Sequence, residues 1–539
     1  MPRGCCAHIL HRIKEIYHEN VHEFRILLWY TGPLVFINLL DYVPFIITCV
    51  FVGHIGKVEL DAMMLAIAFT AVTGAAVGFG LTTACDTLLS QIYGGRNLKY
   101  MGVIIQRAIL ILSLACFPCW ALYINTENIM LLFGQNKEVA RQTELCVLIL
   151  IPSLPAFFLF QLKLRYLQNQ EVFWPQIVVN CLSCLLIALL NYLLLFVFKI
   201  GVKGAALAVT ICSIFECLLL FSYILVRKLY LATWAGWSVE CLNDWGPFLA
   251  LGMPGIGIQS LKVWTFEIAM ILSGLINLVE LGGQSILVQL ITVLLKIPFA
   301  LELATSIRVG FHLGAGETNE AKKSATLSIF ISGIVAVISS ILMIALRGQL
   351  GKIFTNEKDI LTCVYRTMPM CALFYFFNPS VNGFLGVLKG IGKPGIGALA
   401  FFFGNCLVAF PIGVPLMFPA KFGIKGFWNG MTIGFVCINI YFFIYFWRID
   451  WNLMTEKAKE RVGLKKDPVP FLESHIDTPD NMELKNYASM DSYSTETEPL
   501  ETLEKPVSKK LIMCRAFQAI VAISTFFIGL IIKLTVKQH

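Results

Sequence analysis

The chain has 539 residues, of which 57% are hydrophobic and only 14% are charged. A soluble globular domain carries about 25% charged residues, so this composition excludes a soluble enzyme and is typical of a protein with many membrane-spanning helices. The net charge of +8 does not require a nucleic-acid partner, because cytoplasmic loops of membrane proteins collect Lys and Arg.

Thirteen apolar stretches are long enough to cross a bilayer. The first twelve lie near 26–52, 63–83, 102–123, 144–166, 175–198, 204–226, 246–272, 281–303, 324–346, 362–388, 394–418 and 425–447. The thirteenth lies near 511–534, beyond a long polar segment. The sequence therefore predicts an all-α polytopic membrane protein.

The spacing of these spans predicts the domain organisation. An amino-terminal segment, 1–25, is followed by a six-helix lobe at 26–226, a linker at 227–245 and a second six-helix lobe at 246–447. A polar tail, 448–510, then leads to the thirteenth span at 511–534.

The distribution of basic residues predicts the orientation. Lys and Arg are frequent just after the twelfth span and absent from 273–280, between the seventh and eighth spans. The positive-inside rule therefore places the amino terminus and the 448–510 tail in the cytoplasm and the carboxyl terminus outside, with the plasma membrane as the expected location. From Asp467 to Lys505 the tail is polar and poor in apolar residues, which predicts disorder.

The sequence repeats itself at a shift of 221 positions. This shift carries Pro33 onto Pro254 and Val58-Glu59-Leu60 onto Val279-Glu280-Leu281. A shared shift at separated places implies two homologous halves of six helices each. Because six is even, both halves have the same orientation, and a pseudo-twofold axis along the membrane normal should relate them, with a site in the cleft between them. A transporter is the expected class.

Charged residues inside the spans are candidates for function. The stretch SLKVWTFEIAM at 260–270 places Lys262 and Glu267 in the seventh span, where a charge costs at least about 2.5–3.5 kcal/mol. The two are about 140° apart around a helix, so they do not pair with each other. Asp41, in the first span, stands 221 positions before Lys262. These two residues either form an ion pair across the cleft or separately face water in it.

Seven motifs together are specific. They are GHIGKVEL at 53–60, VGFGLTTACDTLLSQIYGG at 77–95, YLQNQ at 166–170, VELGGQS at 279–285, SIRVGFHLGAG at 306–316, GVLKGIGKPGIGA at 386–398 and RIDW at 448–451. Because these motifs occur together in this order and at this spacing, the chain resembles the multidrug and toxin extrusion (MATE) transporters, especially the vertebrate branch with a thirteenth helix. The resemblance implies two six-helix bundles around a V-shaped cleft and proton-coupled export of organic cations by alternating access. The expected partners are a small organic solute, protons and lipid, with no cofactor, for a protein acting as a monomer.

The chain departs from the family at several expected binding positions. Vertebrate members use acidic residues of the carboxyl-terminal half, and Glu267 matches one of these positions. Lys262, Gln289 and Asn378 stand where the resemblance leads us to expect three other acids. Losing three negative charges and gaining a positive one weakens the attraction for a cation. An alternative is therefore a divergent member with a neutral, zwitterionic or anionic substrate, without proton coupling, or acting only as an interaction protein.

Glu267 is the first choice for the proton- or cation-binding carboxylate, and Asp41 is the second. Lys262 is expected to modify their charge. Further candidates either line the cavity or support conformational change: Gln289, Asn378, Tyr42 and Trp264 in the first group, and the helix-bending prolines Pro33, Pro44, Pro254 and Pro298 in the second. Asp86 and Arg308 occupy nearly equivalent cytoplasmic-side positions of the two halves and are expected to hold loops.

One motif favours a different class. HENVH at 18–22 fits the H-E-x-x-H pattern of zinc metallopeptidases. Only seventeen residues precede it and no third ligand is evident nearby, so an amphipathic entry to the first span is the preferred interpretation. A membrane zinc metallopeptidase remains a remote alternative, and we expect neither a metal site nor an enzyme.

Overall fold

The computed structural model describes residues 3–463 and 508–536, with side chains from 21 to 463 and from 508 to 535. Within these ranges the chain is helical and contains no strand. The helices in chain order are α1 Arg3–Leu40, α2 Val43–Gly53, α3 Lys57–Thr70, α4 Ala76–Gly94, α5 Leu98–Ile124, α6 Thr126–Leu132, α7 Lys137–Leu150, α8 Ser153–Gln168, α9 Trp174–Asn191, α10 Val202–Val226, α11 Trp245–Gly274, α12 Leu278–Ala315, α13 Thr318–Ala345, α14 Arg347–Leu350, α15 Lys358–Gly390, α16 Pro394–Phe402, α17 Phe410–Met417, α18 Ile424–Trp447, α19 Trp451–Val462 and α20 Lys509–Val536.

The thirteen predicted spans are confirmed. Among the described residues, twelve helices or joined helices are long and apolar enough to cross a membrane, and α7 with α8 makes a thirteenth span that is bent by 53°. Pro152 lies at this bend, where a proline removes a helix hydrogen bond. Several spans are longer than predicted: the second runs over Lys57–Gly94 and the eighth over Leu278–Ala315, because helix continues into polar residues beyond the apolar core.

The predicted role of the prolines is only partly met. Asp41 and Tyr42 form a turn between α1 and α2, and Pro44 lies in the first turn of α2, where its missing N–H is not needed. By contrast, Pro33, Pro254 and Pro298 lie inside unbroken helices, so the structure shows no local unwinding at these three positions, and the bends expected there during alternating access stay a prediction. The α-helical hydrogen-bond pattern of three spans is instead interrupted by π-helical segments at Ala71–Ala75, Tyr192–Val197 and Phe403–Ala409.

Two large hydrophobic cores organise the spans. One is formed mainly by buried residues between Val52 and Leu251, and the other by residues between Ile258 and Ala458. The chain passes from one core to the other within α11. In the same way, α1 packs its carboxyl-terminal half, which includes Tyr30, Leu34 and Ile37, on α12 of the opposite half. The first span of each half therefore packs against the second span of the other half.

The contact between α4 and α12, which we call the seam, is reciprocal. A Cβ atom on Gly94 would lie 2.0 Å from the carbonyl oxygen of Phe311, and one on Gly314 would lie 1.9 Å from the carbonyl oxygen of Gln91. Gly314 stands 220 positions after Gly94, and Phe311 stands 220 positions after Gln91. Such an exchange of partners is what a twofold axis between the halves requires. The end of the molecule that contains the seam is called the closed end below.

A short amphipathic helix, α19, lies across the closed end. The Asn97 side chain of the first half donates to the Val462 carbonyl at 2.9 Å, and the hydroxyl of Thr455 bonds Thr318 of the second half at 2.8 Å. Arg461 approaches the carbonyls of Ile391 and Gly392 at 3.4 Å. This helix was not expected within the 448–510 tail. The segment predicted to be disordered, 467–505, lies outside the described residues.

The last helix, α20, packs against α5. Gly529 permits this contact, since a Cβ there would lie 2.8 Å from the Ala121 side chain, and its carbonyl accepts from Asn125 at 2.9 Å. The Lys533 ammonium donates to the Glu144 carboxylate, and both groups are buried. The thirteenth span is thus fixed to the first half by a buried ion pair.

Candidate functional site

A cavity of about 250 Å³ lies in the first half between α1, α9 and α10, and we call it the N-lobe cavity. Two carboxyl groups line it. Asp41 lies at the turn that ends α1 and is exposed to the cavity, and its Oδ1 accepts from the Asn180 amide at 2.5 Å. Glu216, from α10, accepts from the Ser183 hydroxyl. The helix break at Asp41 therefore points a carboxylate into a solvent-reachable pocket.

The rest of the N-lobe cavity suits a small amphipathic cation. Phe157 and Phe160 of α8 supply aromatic surface, and Gln161 and Ser213 supply polar groups. Aromatic faces attract cations, and a carboxylate provides the opposite charge. Glu216 and Asp41 line the same cavity, in which two ionised carboxylates repel each other. The cavity therefore holds two interacting acids with few fixed partners.

Tyr42, next to Asp41, connects the two halves. Its hydroxyl donates to the Gln289 side-chain oxygen on α12, which brings together two of the predicted cavity residues. The Lys296 ammonium lies 5.4 Å from the centre of the ring of Tyr42, the residue that follows Asp41 in the chain. Lys296, rather than Lys262, is thus a basic neighbour of Asp41.

Lys262 lies in a different environment in the second half. Its ammonium is 3.2 Å from Glu302 Oε2 and donates to Asn382 Oδ1 at 3.0 Å. It also lies 5.8 Å from the Phe299 ring centre and 5.7 Å from that of Phe401. We call these four surrounding groups the Lys262 cage. The hypothetical ion pair between Lys262 and Asp41 is absent, since each residue has other partners.

Glu302 links Lys262 to a series of buried ion pairs that runs from the second half into the first half, and we call this series the ion ladder. Its Oε1 pairs with Lys389 at 2.7 Å, and Lys389 lies 3.7 Å from Asp86 Oδ2 in the first half. Asp86 Oδ1 in turn pairs with Arg165 at 3.3 Å. The five residues alternate in sign from Arg165 to Lys262. Asp86 therefore connects the two halves within the helices, and the expectation that it holds a loop was wrong.

Arg308 forms a second ion cluster between the halves. Its guanidinium makes two hydrogen bonds to the Glu23 carboxylate of α1, at 3.0 and 2.6 Å, and contacts His312 at 2.9 Å. Ser324 of α13 also donates to Glu23 at 2.6 Å. His312 bonds Glu317 beyond the end of α12 at 2.7 Å, and this bond lowers the pKa of Glu317 below its usual value. Arg308 thus holds α1 to α12 instead of a loop.

Glu267 is set apart from these clusters. It is exposed and has no hydrogen bond or ion pair among the described residues, and no contact joins it to Lys262. It shares an exposed face of α11 with Trp264, which is 51% exposed. Asn378 is buried, and its side-chain oxygen accepts a hydrogen bond from Asn382 at 2.7 Å. Asn378 therefore contacts a member of the Lys262 cage but not Lys262 itself.

Four functional candidates were missed by the sequence interpretation: Arg165, Glu216, Glu302 and Lys389. Each is a charged residue within or at the end of an apolar span, so the argument that selected Lys262 applied equally to them. Lys296 has the same signature.

The zinc hypothesis gains no support from the described part of the chain. His22 is exposed, and no group of three or more His, Cys, Asp or Glu residues there could hold a metal ion. The side chains of His18 and Glu19 lie outside the described residues, so the HENVH pattern itself stays without a structural test.

A family model described as MatE matches residues 33–193 and again 254–414. The two matches begin 221 positions apart, which is the shift at which the sequence repeats. Together they cover more than half of the chain.

Curated relatives and a solved structure agree with this match. The chain is 39% identical to multidrug and toxin extrusion protein 1 of Xenopus tropicalis over 532 residues, covering 96% of this chain and 92% of the relative. It is 43% identical to the Homo sapiens protein of the same name over 448 residues, covering 83% and 79%. The crystal structure of the eukaryotic MATE transporter AtDTX14 superposes with a TM-score of 0.78 at 27% identity, covering 82% of this chain and 99% of that one.

Proposed function

Because the chain belongs to the MatE family of multidrug and toxin extrusion transporters, we propose that it exports small organic cations from the cytoplasm in exchange for protons. It is an integral membrane transporter and not an enzyme. The proposed location is the plasma membrane, with the amino terminus and α19 in the cytoplasm and with the monomer as the working unit.

The observation that carries the proposal is the pair of carboxyls in the N-lobe cavity. Asp41 and Glu216 repel each other when both are ionised, and either one bound proton or one organic cation relieves that repulsion. The proton and the cation therefore compete for the same pair. Exchange follows from this competition, because a proton that arrives from one side displaces the cation that arrived from the other.

Alternating access follows from the interface between the halves. The closed end is held by the seam, by the Asp86–Lys389 contact and by the Arg308–Glu23 pair. Reaching the N-lobe cavity from the cytoplasm requires these contacts to separate. Export would then consist of opening the closed end to load the cation and closing it again to release the cation outside.

A second candidate function is favoured by the charge of the ion ladder. Three bases and two acids give the ladder a net charge of +1, and its most exposed member is Lys262, with 24% of the side chain exposed. A carboxylate of an anionic or zwitterionic solute could pair with that end. This candidate would replace the organic cation as cargo but keep the same fold and the same movement.

Transport into proteoliposomes with an imposed pH gradient tests the proposal. Uptake of a radiolabelled organic cation is compared among the wild type, Asp41→Asn and Glu216→Gln. Glu267→Gln is the matched variant, because it removes a carboxyl that lies in an exposed position on α11. Loss of gradient-driven uptake in the first two variants but not in the third supports coupling in the N-lobe cavity.

The reverse pattern would return the coupling role to Glu267. If a folded, inserted wild type transports no cation at any gradient, the same vesicles are tested with a radiolabelled organic anion. Uptake of the anion that is lost in Lys262→Met would favour the second candidate.

A further inference from the structure

The Lys262 cage has the composition of an ammonium-binding site. A carboxylate oxygen from Glu302 and an amide oxygen from Asn382 lie at 3.2 and 3.0 Å from the nitrogen. The rings of Phe299 and Phe401 lie within 6 Å, the range over which an aromatic face attracts a cation. All four groups are attractive to a positive charge, and three different helices contribute them.

The cage stays intact without its lysine. Glu302 is held by Lys389 at 2.7 Å on its other oxygen, and only 1% of its side chain is exposed. Asn382 is held by its own bonds to Asn378. Removing the Lys262 side chain therefore leaves a positioned carboxylate, an amide oxygen and two rings around an empty volume.

The cage is also accessible. The Lys262 side chain is 24% exposed, whereas the two other basic members of the ladder are 7% and 3% exposed. A ligand of the size of a lysine side chain could therefore enter from the side that Lys262 now occupies. Charge is no obstacle, because one bound monocation would restore the charge that the native ladder already carries.

We propose that this cage is a cation site filled by the chain's own lysine, and that it accepts a small primary alkylammonium ion once the Lys262 side chain is removed. In the native protein Lys262 thereby excludes organic cations from this part of the second half. The inference deepens the proposed function, because it leaves the N-lobe cavity as the place for cationic cargo. It does not depend on proton coupling, and its test measures binding without a gradient.

The probe is n-propylammonium, which reproduces the three methylenes and the ammonium that Lys262→Ala deletes. Purified full-length protein is heated with increasing propylammonium chloride at constant ionic strength, and the melting temperature is recorded. We expect propylammonium to stabilise Lys262→Ala at a concentration roughly tenfold or more below any that stabilises the wild type, since a hydrogen bond to a charged group is worth about 1.5–3 kcal/mol. Tetramethylammonium, which has no N–H donor, should have a smaller effect.

Three variants control the measurement. Lys262→Met fills the same volume without a charge and should not respond. Lys163→Ala removes another partly buried lysine, which lies 5.5 Å from the Phe221 ring and bonds Cys217 but no carboxylate, so it should not respond either. Glu302→Gln added to Lys262→Ala should abolish the response, because it removes the charge that holds the ammonium.

Two results would overturn the proposal. One is a response of Lys262→Ala no larger than that of the wild type or of Lys163→Ala. The other concerns folding: if Lys262→Ala is recovered unfolded, expression with propylammonium must restore folded protein, and failure to do so counts against the site. Failure of cation transport by the wild type would count against the proposed function but would not change the result of this binding measurement. The two proposals can therefore fail separately.

Discussion

An alanine at Gly314 should prevent the closed end from forming its native contact. The new Cβ would lie 1.9 Å from the carbonyl oxygen of Gln91, 2.6 Å from its carbon and 2.8 Å from its Cα, and none of these backbone atoms can turn aside. An ordinary contact needs at least 3.4 Å, so α4 and α12 must move apart by about 1.5 Å at this point. Overpacking of this kind costs about 1–3 kcal/mol, which lowers the population of the closed end about 5- to 150-fold.

Hydrogen–deuterium exchange detects this shift. In Gly314→Ala the backbone amides at the carboxyl ends of α4 and α12, and those of α19, should exchange faster than in the wild type, and cation export should slow. Gly257→Ala is the matched control, since Gly257 also lies within a helix but a Cβ there would meet nothing within 4 Å. Helix propensity favours Ala over Gly by up to about 1 kcal/mol at both positions, so propensity alone would not destabilise either variant.

The reasoning is refuted if the two variants behave alike. Equal exchange at the closed end and equal export would mean that the seam yields without cost, and that the close approach of the helices does not hold the halves together.

Three further predictions concern charged residues. Asp86→Asn leaves Arg165 buried without its counter-ion and removes one of the two counter-ions of Lys389, so the melting temperature in detergent should fall by the equivalent of about 3–5 kcal/mol, and an unchanged melting curve would contradict the role of the ladder. Lys533→Ala leaves the Glu144 carboxylate buried and unpaired, so α20 should become sensitive to protease, and adding Glu144→Gln should restore resistance. Because its bond to His312 lowers the pKa of Glu317, this bond adds stability above the usual Glu range and loses it as pH falls through the lowered pKa. The melting temperatures of wild type and Glu317→Gln should therefore differ at neutral pH and converge as the pH is lowered through that pKa.

The spans and the repeat could be predicted because both leave local traces in the sequence. Hydrophobic length identifies a spanning helix whatever packs around it, and a constant shift identifies homologous halves. The bend between α7 and α8 and the break at Asp41 are finer features. They depend on where a proline falls relative to the helix axis and its neighbours, and so the sequence predicted bends at four other prolines but not the one at Pro152.

The partners of the charged residues could not be predicted in the same way. The repeat placed Lys262 and Asp41 at equivalent positions, and equivalence left open both an ion pair and separate exposure to water in the cleft. Residues related by a twofold axis touch each other only on that axis, whereas away from it each touches a different residue of the other half, as Gln91 and Gly314 do. Lys262 instead meets Glu302, forty residues further along the chain, because α11 and α12 pack side by side.

The helix α19 was missed for a different reason. It is polar overall, and its buried apolar residues recur at helical spacing along one face, as Trp451, Met454, Ala458 and Val462 show. A search for long apolar runs passes over such a segment.

Since α19 is bonded to both halves, it is thermodynamically linked to their relative position. A protein, lipid or covalent modification that favours docked α19 stabilises the closed end by the difference in its free energy of interaction with the docked and released helix. One that favours released α19 destabilises the closed end by the corresponding difference. Control of export therefore does not require a ligand in the transport pathway. It can be exerted by whatever binds twelve residues on the surface of the protein.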